Sequence, residues 1–381
     1  MRHTARAQAG VTPGGRLRRL IRARPLAELI ESRDGARNNF DLIRLIAATL
    51  VLISHAFTLS GSATPEPLSA WTHGQATFGA LALCMFFFIS GFLVTRSLER
   101  RRSLVAFATA RIMRIFPGLA VVVMLSALLL GPLTTSLDLA TYFGHRAFSD
   151  YFRNILLQMN YTLPGVFTHN AMQAVNGSLW TLRFEVVMYM ALPLALWIAL
   201  FLSRRLLLLG FAALLCAHQF WITSLADGFF SFYYVYLGLF FLAGIIAYVY
   251  RDAIRLSAPL ALACLAALIA GACFGGFFTA RLLAGSYLLL WLAYAAPKIH
   301  DPITPFGDLS YGVYIYAFPV QQWVAHSFAD GRSWDGNIAL ALPLTYLCAA
   351  LSWFFVEAPA MRAREPVAAL LLGWRKRIRP A

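Results

Sequence analysis

NNFDLIRLIAATLVLISHAFTLSG, residues 38–61, decides how the rest of the chain is read. The stretch is long and apolar enough to cross a bilayer as a helix, yet it carries Arg44 and His55 eleven positions apart. At about 100° per residue, eleven steps make three turns plus roughly 20°, so both side chains leave one face about 16 Å apart along the axis. Ionisable groups are costly in hydrocarbon and face a bundle interior or a cavity. The spacing therefore predicts a polar crevice beside this first membrane helix.

The surrounding composition agrees. The 381 residues are 60% hydrophobic and 13% charged, with a mean hydropathy of +0.66, which excludes an ordinary soluble domain and predicts an all-α polytopic membrane protein. A net charge of +15 would suggest nucleic acid in a soluble protein. Here the basic residues fall between apolar blocks and read as topology signals, so no nucleic-acid partner is expected. Cys84, Cys216, Cys264, Cys273 and Cys348 lie in or beside apolar segments without metal-ligand spacing, which predicts packing roles and neither metal nor disulfide framework. The first forty residues contain arginines but no short apolar core with a cleavage site, so no removable signal peptide is expected.

Apolar runs at 41–61, 75–95, 107–131, 178–201, 205–222, 229–250, 257–275, 277–297, 308–328 and 337–357 predict about ten transmembrane helices around a polar central crevice. With the amino end inside, 26 of the 32 Lys and Arg residues fall on one side, which places both termini in the cytoplasm. The tightest join is at Gly275 and Gly276. Residues 1–37 read as a basic cytoplasmic arm, partly disordered. Residues 38–362 form the membrane domain, and 363–381 a basic cytoplasmic tail. The long outer loop, 132–176, is aromatic enough to cap the helix ends.

Three further groups bear on chemistry. Arg111 and Arg114 in FATARIMRIFPG sit three apart on one helix face at the inner mouth. Paired guanidinium forks suit phosphate oxygens, although the same pair would also serve as anchors snorkelling to the headgroups. In NGSLWTLRFEVVMYMALP, Thr181, Glu185 and Tyr189 form a polar ridge at four-residue spacing. Counting ~1.5 Å per residue from the span ends puts Glu185 and His55 at one depth. They are thus a candidate acid/base pair in which the carboxylate orients the imidazole, or else a hydrogen-bonded link between helices. His73, His145, His169, His218 and His326 read as solvated or interfacial residues. Tyr311, Tyr314 and Tyr316 read as a packing cluster. Asp308 and Glu357 lie at inner span ends, where pairing with the arginines is expected. Pro359 is expected to end the helix that carries Glu357.

Together with Arg44 and His55, the blocks FFFISGFLVTRSL, RIMRIFP, NGSLWTLRFE, DLSYGVYIYAFPV and LSWFFVEAP occur in an order that resembles the acyltransferase 3 family of integral membrane acyltransferases, over roughly residues 38–362. The resemblance implies a bacterial cytoplasmic-membrane enzyme that takes an acyl group, usually acetyl, from cytoplasmic acetyl-CoA to sugar hydroxyls of extracytoplasmic or lipid-linked polysaccharide. The family's functional motifs fall on Arg44, His55, Arg111 and Arg114, and the Glu of its SLWTL block on Glu185. Acyl-CoA phosphates are then expected at Arg44, Arg111 and Arg114, with catalysis by His55 and Glu185. The partners expected are the bilayer, acyl-CoA and a glycan or lipid-linked sugar. Ala317 stands where many members carry a His, so no second catalytic His is expected there. Some relatives carry a C-terminal hydrolase-like domain. Here the membrane unit is expected to deliver the acyl group itself or to a separate partner. A small-molecule acyltransferase, a transporter or flippase using the same polar path, and a non-catalytic scaffold stay open.

Overall fold

The computed structural model describes residues 23–32, 38–101, 103–224, 229–298 and 307–378. Every predicted span is helical, as α1 Phe40–Leu59, α2 Phe78–Arg101, α3 Leu104–Thr134, α4 Gly177–Leu202, α5 Arg204–Ser224, α6 Phe229–Val249, α7 Ala258–Phe274, α8 Phe277–Ala295, α9 Ser310–Ser327 and α10 Trp334–Gly373. Among the described residues seven of these, α1 to α4, α6, α8 and α10, are long and apolar enough to cross a membrane. Apolar side chains such as Met190, Leu194, Phe201 and Phe355 are exposed on the outside, as lipid contact requires. The protein is an all-α polytopic membrane protein.

α9 misses the hydropathy criterion for a physical reason. Residues 309–319 are all buried, so the helix meets protein on every face and can carry polar and tyrosine side chains that lipid would reject. It packs against α1 and α10, and α1 packs in turn against α2. α2 and α6 approach at backbone distance. A Cβ on Gly91 would stand 2.1 Å from the Phe241 carbonyl oxygen, and one on Gly244 2.2 Å from that of Phe88. Without a hydrophobic driving force between helices in lipid, such small-residue contacts bring van der Waals surfaces together. α7 and α8 join through Gly275 and Gly276, with φ of +100° and +82°, so the expected tight turn is present.

Two boundaries differ from the sequence reading. Within the stretch read as a basic arm, Arg24–Pro25 pairs antiparallel with Arg255–Leu256, and the helix Leu26–Glu31 buries Leu26, Leu29 and Ile30 in the main core. The rest of that stretch, 1–22 and 33–37, lies outside the described residues. At the other end Pro359 does not stop the helix, which runs on through Ala358–Ile378. The turn before it, Trp353–Glu357, is widened to a π-helical turn, which accommodates the missing N–H and the ring.

The 132–176 segment packs as a folded cover. Tyr142, Tyr151, Leu163, Val166 and Phe167 join a core cluster with Leu119, Val122 and Tyr314. Gln322 on α9 donates to the carbonyls of Met172 and Ala174, at 2.7 and 2.6 Å, which pins the segment to the central helix.

Candidate functional site

Two adjoining cavities lie inside the bundle. The first, about 260 Å³, is lined by Arg44 from α1, Arg111 and Arg114 from α3, Glu185 and Tyr189 from α4, and Asp308 just before α9. The second, about 570 Å³, holds His55. Leu83 from α2 and Tyr314 from α9 line both. We call them the arginine cavity and the histidine cavity.

In the arginine cavity two of the three guanidinium groups are neutralised. Arg44 Nη2 and Arg114 Nη2 donate to the same Asp308 oxygen, at 2.8 and 2.7 Å, and Arg114 Nη1 reaches Glu357 at 3.3 Å. Ser310 Oγ donates to the other Asp308 oxygen at 2.5 Å. Glu357, 1% exposed, also accepts from Ser352 Oγ at 2.9 Å, a five-residue reach across the widened turn. The expected pairing of Asp308 and Glu357 with arginines is therefore present. Arg111 is different. It forms no ion pair among the described residues, its Nε has no hydrogen-bond partner, and its guanidinium stands 5.8 Å from the Tyr189 ring centroid. A cation so placed on a cavity wall is an open seat for an anion.

Glu185 belongs to this cavity and not to His55. Its carboxylate accepts from the Tyr189 hydroxyl and, at 3.2 Å, from Ser90 Oγ on α2. The ridge of Thr181, Glu185 and Tyr189 does line one cavity, as its spacing predicted. The expected acid/base contact between Glu185 and His55 is not made. Equal depth along two helix axes leaves open which way each helix turns, and Tyr314 occupies the ground between. Its hydroxyl donates to the Ser178 carbonyl at 2.9 Å and meets Thr181 Oγ1 at 2.5 Å, both on α4.

His55 is packed edge-on against Phe318, with ring centroids 5.1 Å apart, and its Nδ1 is buried without a partner. The carboxylate that shares its cavity is Glu66, in the short connection between α1 and α2. Sequence reasoning missed Glu66, Leu83 and the role of Tyr314 as more than packing. The available signal for Glu66 was a lone acid bracketed by prolines, ATPEP, in a connection otherwise free of charge. One other reading is corrected. His218, 1% exposed, stacks on Phe278 at 4.0 Å and is not solvated, because α5, α6 and α8 close around it. Arg281, 4% exposed, lies over the Phe277 ring. Among the described residues no cluster of three or more His, Cys, Asp or Glu could hold a metal.

Comparison with known proteins bears on the chemistry. A family profile described as an acyltransferase domain matches residues 37–357. The chain belongs to the acyltransferase 3 family. It is 31% identical over 339 residues to an O-acetyl transferase of Shigella phage Sf6, covering 86% of this chain and 97% of that protein. It is also 31% identical over 377 residues to nodulation protein 10 of Rhizobium leguminosarum bv. viciae, covering 89% and 97%. No solved structure matches. In this acyltransferase the residues singled out in the sequence fall on both cavities, with Arg44, Arg111, Arg114 and Glu185 on one and His55 on the other.

Proposed function

We propose that the acyltransferase moves an acetyl group from cytoplasmic acetyl-CoA, held at the arginine cavity, to a sugar hydroxyl of a polysaccharide or lipid-linked glycan entering the histidine cavity. The observation that carries this reading is the pair of adjoining cavities of unlike chemistry sharing Leu83 and Tyr314. The name of the phage relative, O-acetyl transferase, supports acetyl as the group moved. The heavy basic bias supports ten spans with both ends in the cytoplasm of a bacterial cell and the arginine cavity opening there.

In this mechanism Arg111 receives the anionic groups of CoA, and the Asp308-linked pair Arg44 and Arg114 supplies the fixed framework around it. The thioester passes between Leu83 and Tyr314 toward His55. About 16 Å of helix separate Arg44 from His55, comparable to an extended pantetheine arm. His55 takes the proton of the acceptor hydroxyl, whose oxygen forms the new bond to the thioester carbonyl carbon. The carbon–sulfur bond breaks, and the CoA thiolate recovers the proton from the imidazolium. Glu185 acts at the donor end, holding Tyr189 against Arg111.

The test is release of free CoA by purified protein in nanodiscs from acetyl-CoA with candidate glycans. His55→Ala is expected to abolish release while acetyl-CoA still binds. Retained turnover would remove His55 from the mechanism, and no CoA release with any acceptor would return the chain to the transport reading.

A further inference from the structure

The histidine cavity differs in charge from the rest of this basic chain. Among the described residues no Lys or Arg lines it, whereas three arginines line its neighbour. The one carboxylate on its wall among those residues is Glu66, 6% exposed. Ser54 Oγ donates to one Glu66 oxygen at 2.6 Å, and the Phe78 backbone N–H donates to the other. Phe78 opens α2, so the carboxylate sits on the positive end of that helix, with no basic side chain paired to it among the described residues. Ser54 immediately precedes His55, which ties the carboxylate to the turn of α1 that carries the imidazole. A carboxylate offers about four acceptor positions, and two are used here. The remaining wall consists of hydroxyls, among them Thr58, Ser62 and Thr77, and of the aromatic rings of Trp180, Phe232 and Tyr233. Arg281 interacts with the wall residue Tyr236 and does not itself line the cavity.

We propose that Glu66 selects the acceptor: its carboxylate accepts a hydrogen bond from a hydroxyl of an uncharged sugar ring, beside the hydroxyl that His55 deprotonates, and rejects rings that carry a carboxylate or phosphate there. The proposal rests on the acceptor entering the histidine cavity, as in the reading above. A neutral ring gains an acceptor for a hydroxyl and flat apolar faces for its C–H groups. An anionic ring meets a like charge there with no Lys or Arg on the wall among the described residues to offset it.

The experiment uses full-length protein in nanodiscs and two oligosaccharides that differ only in one ring, glucose against glucuronate. The ratio of kcat/KM values from CoA release and the ratio of Kd values from calorimetry are both measured. Wild-type protein is expected to favour the neutral sugar at least tenfold. Glu66→Gln is expected to shrink that preference at least tenfold, chiefly by raising KM for the neutral sugar, with acetyl-CoA affinity kept. Ser54→Ala retains the carboxylate and is expected to retain the preference. A mere staple between α1 and α2 would lose thermal stability alike in both variants and leave the ratio unmoved. That result, an indifferent wild type, or no binding of either sugar overturns the proposal. Sugar binding with the expected ratios but no CoA release would instead sink the transferase reading and leave the selection by Glu66 standing.

Discussion

Arg111 differs from Arg44 and Arg114 in lacking a carboxylate, and that difference separates the expected outcomes of their substitution. Arg111→Gln removes a charge that makes no ion pair among the described residues and whose neighbour is the Tyr189 ring, so the protein is expected to stay folded. Its acetyl-CoA Kd is expected to rise roughly 10- to 100-fold, the worth of a charge-assisted hydrogen bond. Calorimetry on the variant checks this, and an unchanged Kd would remove Arg111 from donor binding. Asp308→Asn acts on stability instead. Asp308 is 17% exposed and holds two guanidinium groups at 2.8 and 2.7 Å, so neutralising it leaves both cations short of a partner. The loss is expected to be on the order of 3 kcal/mol, seen as a lower thermal midpoint in detergent. Arg44 was legible in the sequence as a cavity residue, whereas Arg114 stood there between a phosphate site at the inner mouth and a headgroup anchor. Their pairing with Asp308, some two hundred residues away from Arg114, was legible only as a general match of charge at one membrane level.

At the scale of elements, the contact of α2 with α6 depends on two glycines. Gly91→Val would drive a side chain into the Phe241 backbone, which cannot give way as a flexible side chain would. The expected cost is at least about 3 kcal/mol, read as loss of monodisperse protein on solubilisation. The helices themselves follow from sequence, since each of the apolar runs is helical, seven of them long and apolar enough to cross a membrane among the described residues. The misreadings came where local rules met tertiary demands. Pro359 marks a helix end by its own chemistry, yet the widened turn Trp353–Glu357 absorbs it, and that turn also brings Ser352 and Glu357 together. Leu26–Glu31 looked like part of a charged arm because six residues give little periodicity, and only the core they meet makes them a helix.

For the molecule as a whole, the wall that the two cavities share is the decisive feature. Leu83 lines both, so Leu83→Trp is expected to leave acetyl-CoA binding intact and to cut transfer at least tenfold, measured as CoA release against Kd on the same preparation. Equal transfer in that variant would mean that the thioester takes another route. The amino-acid sequence by itself determined the membrane class, the helices, and the residues that no lipid face would tolerate, because hydropathy and helical period are local properties of the chain. Only the tertiary structure decided that Glu185 lines the cavity of the arginines and that Glu66 lines the one that holds His55. Depth along an axis can be counted in residues, but the rotation of each helix and the side chains standing between two polar groups are set by packing against distant segments.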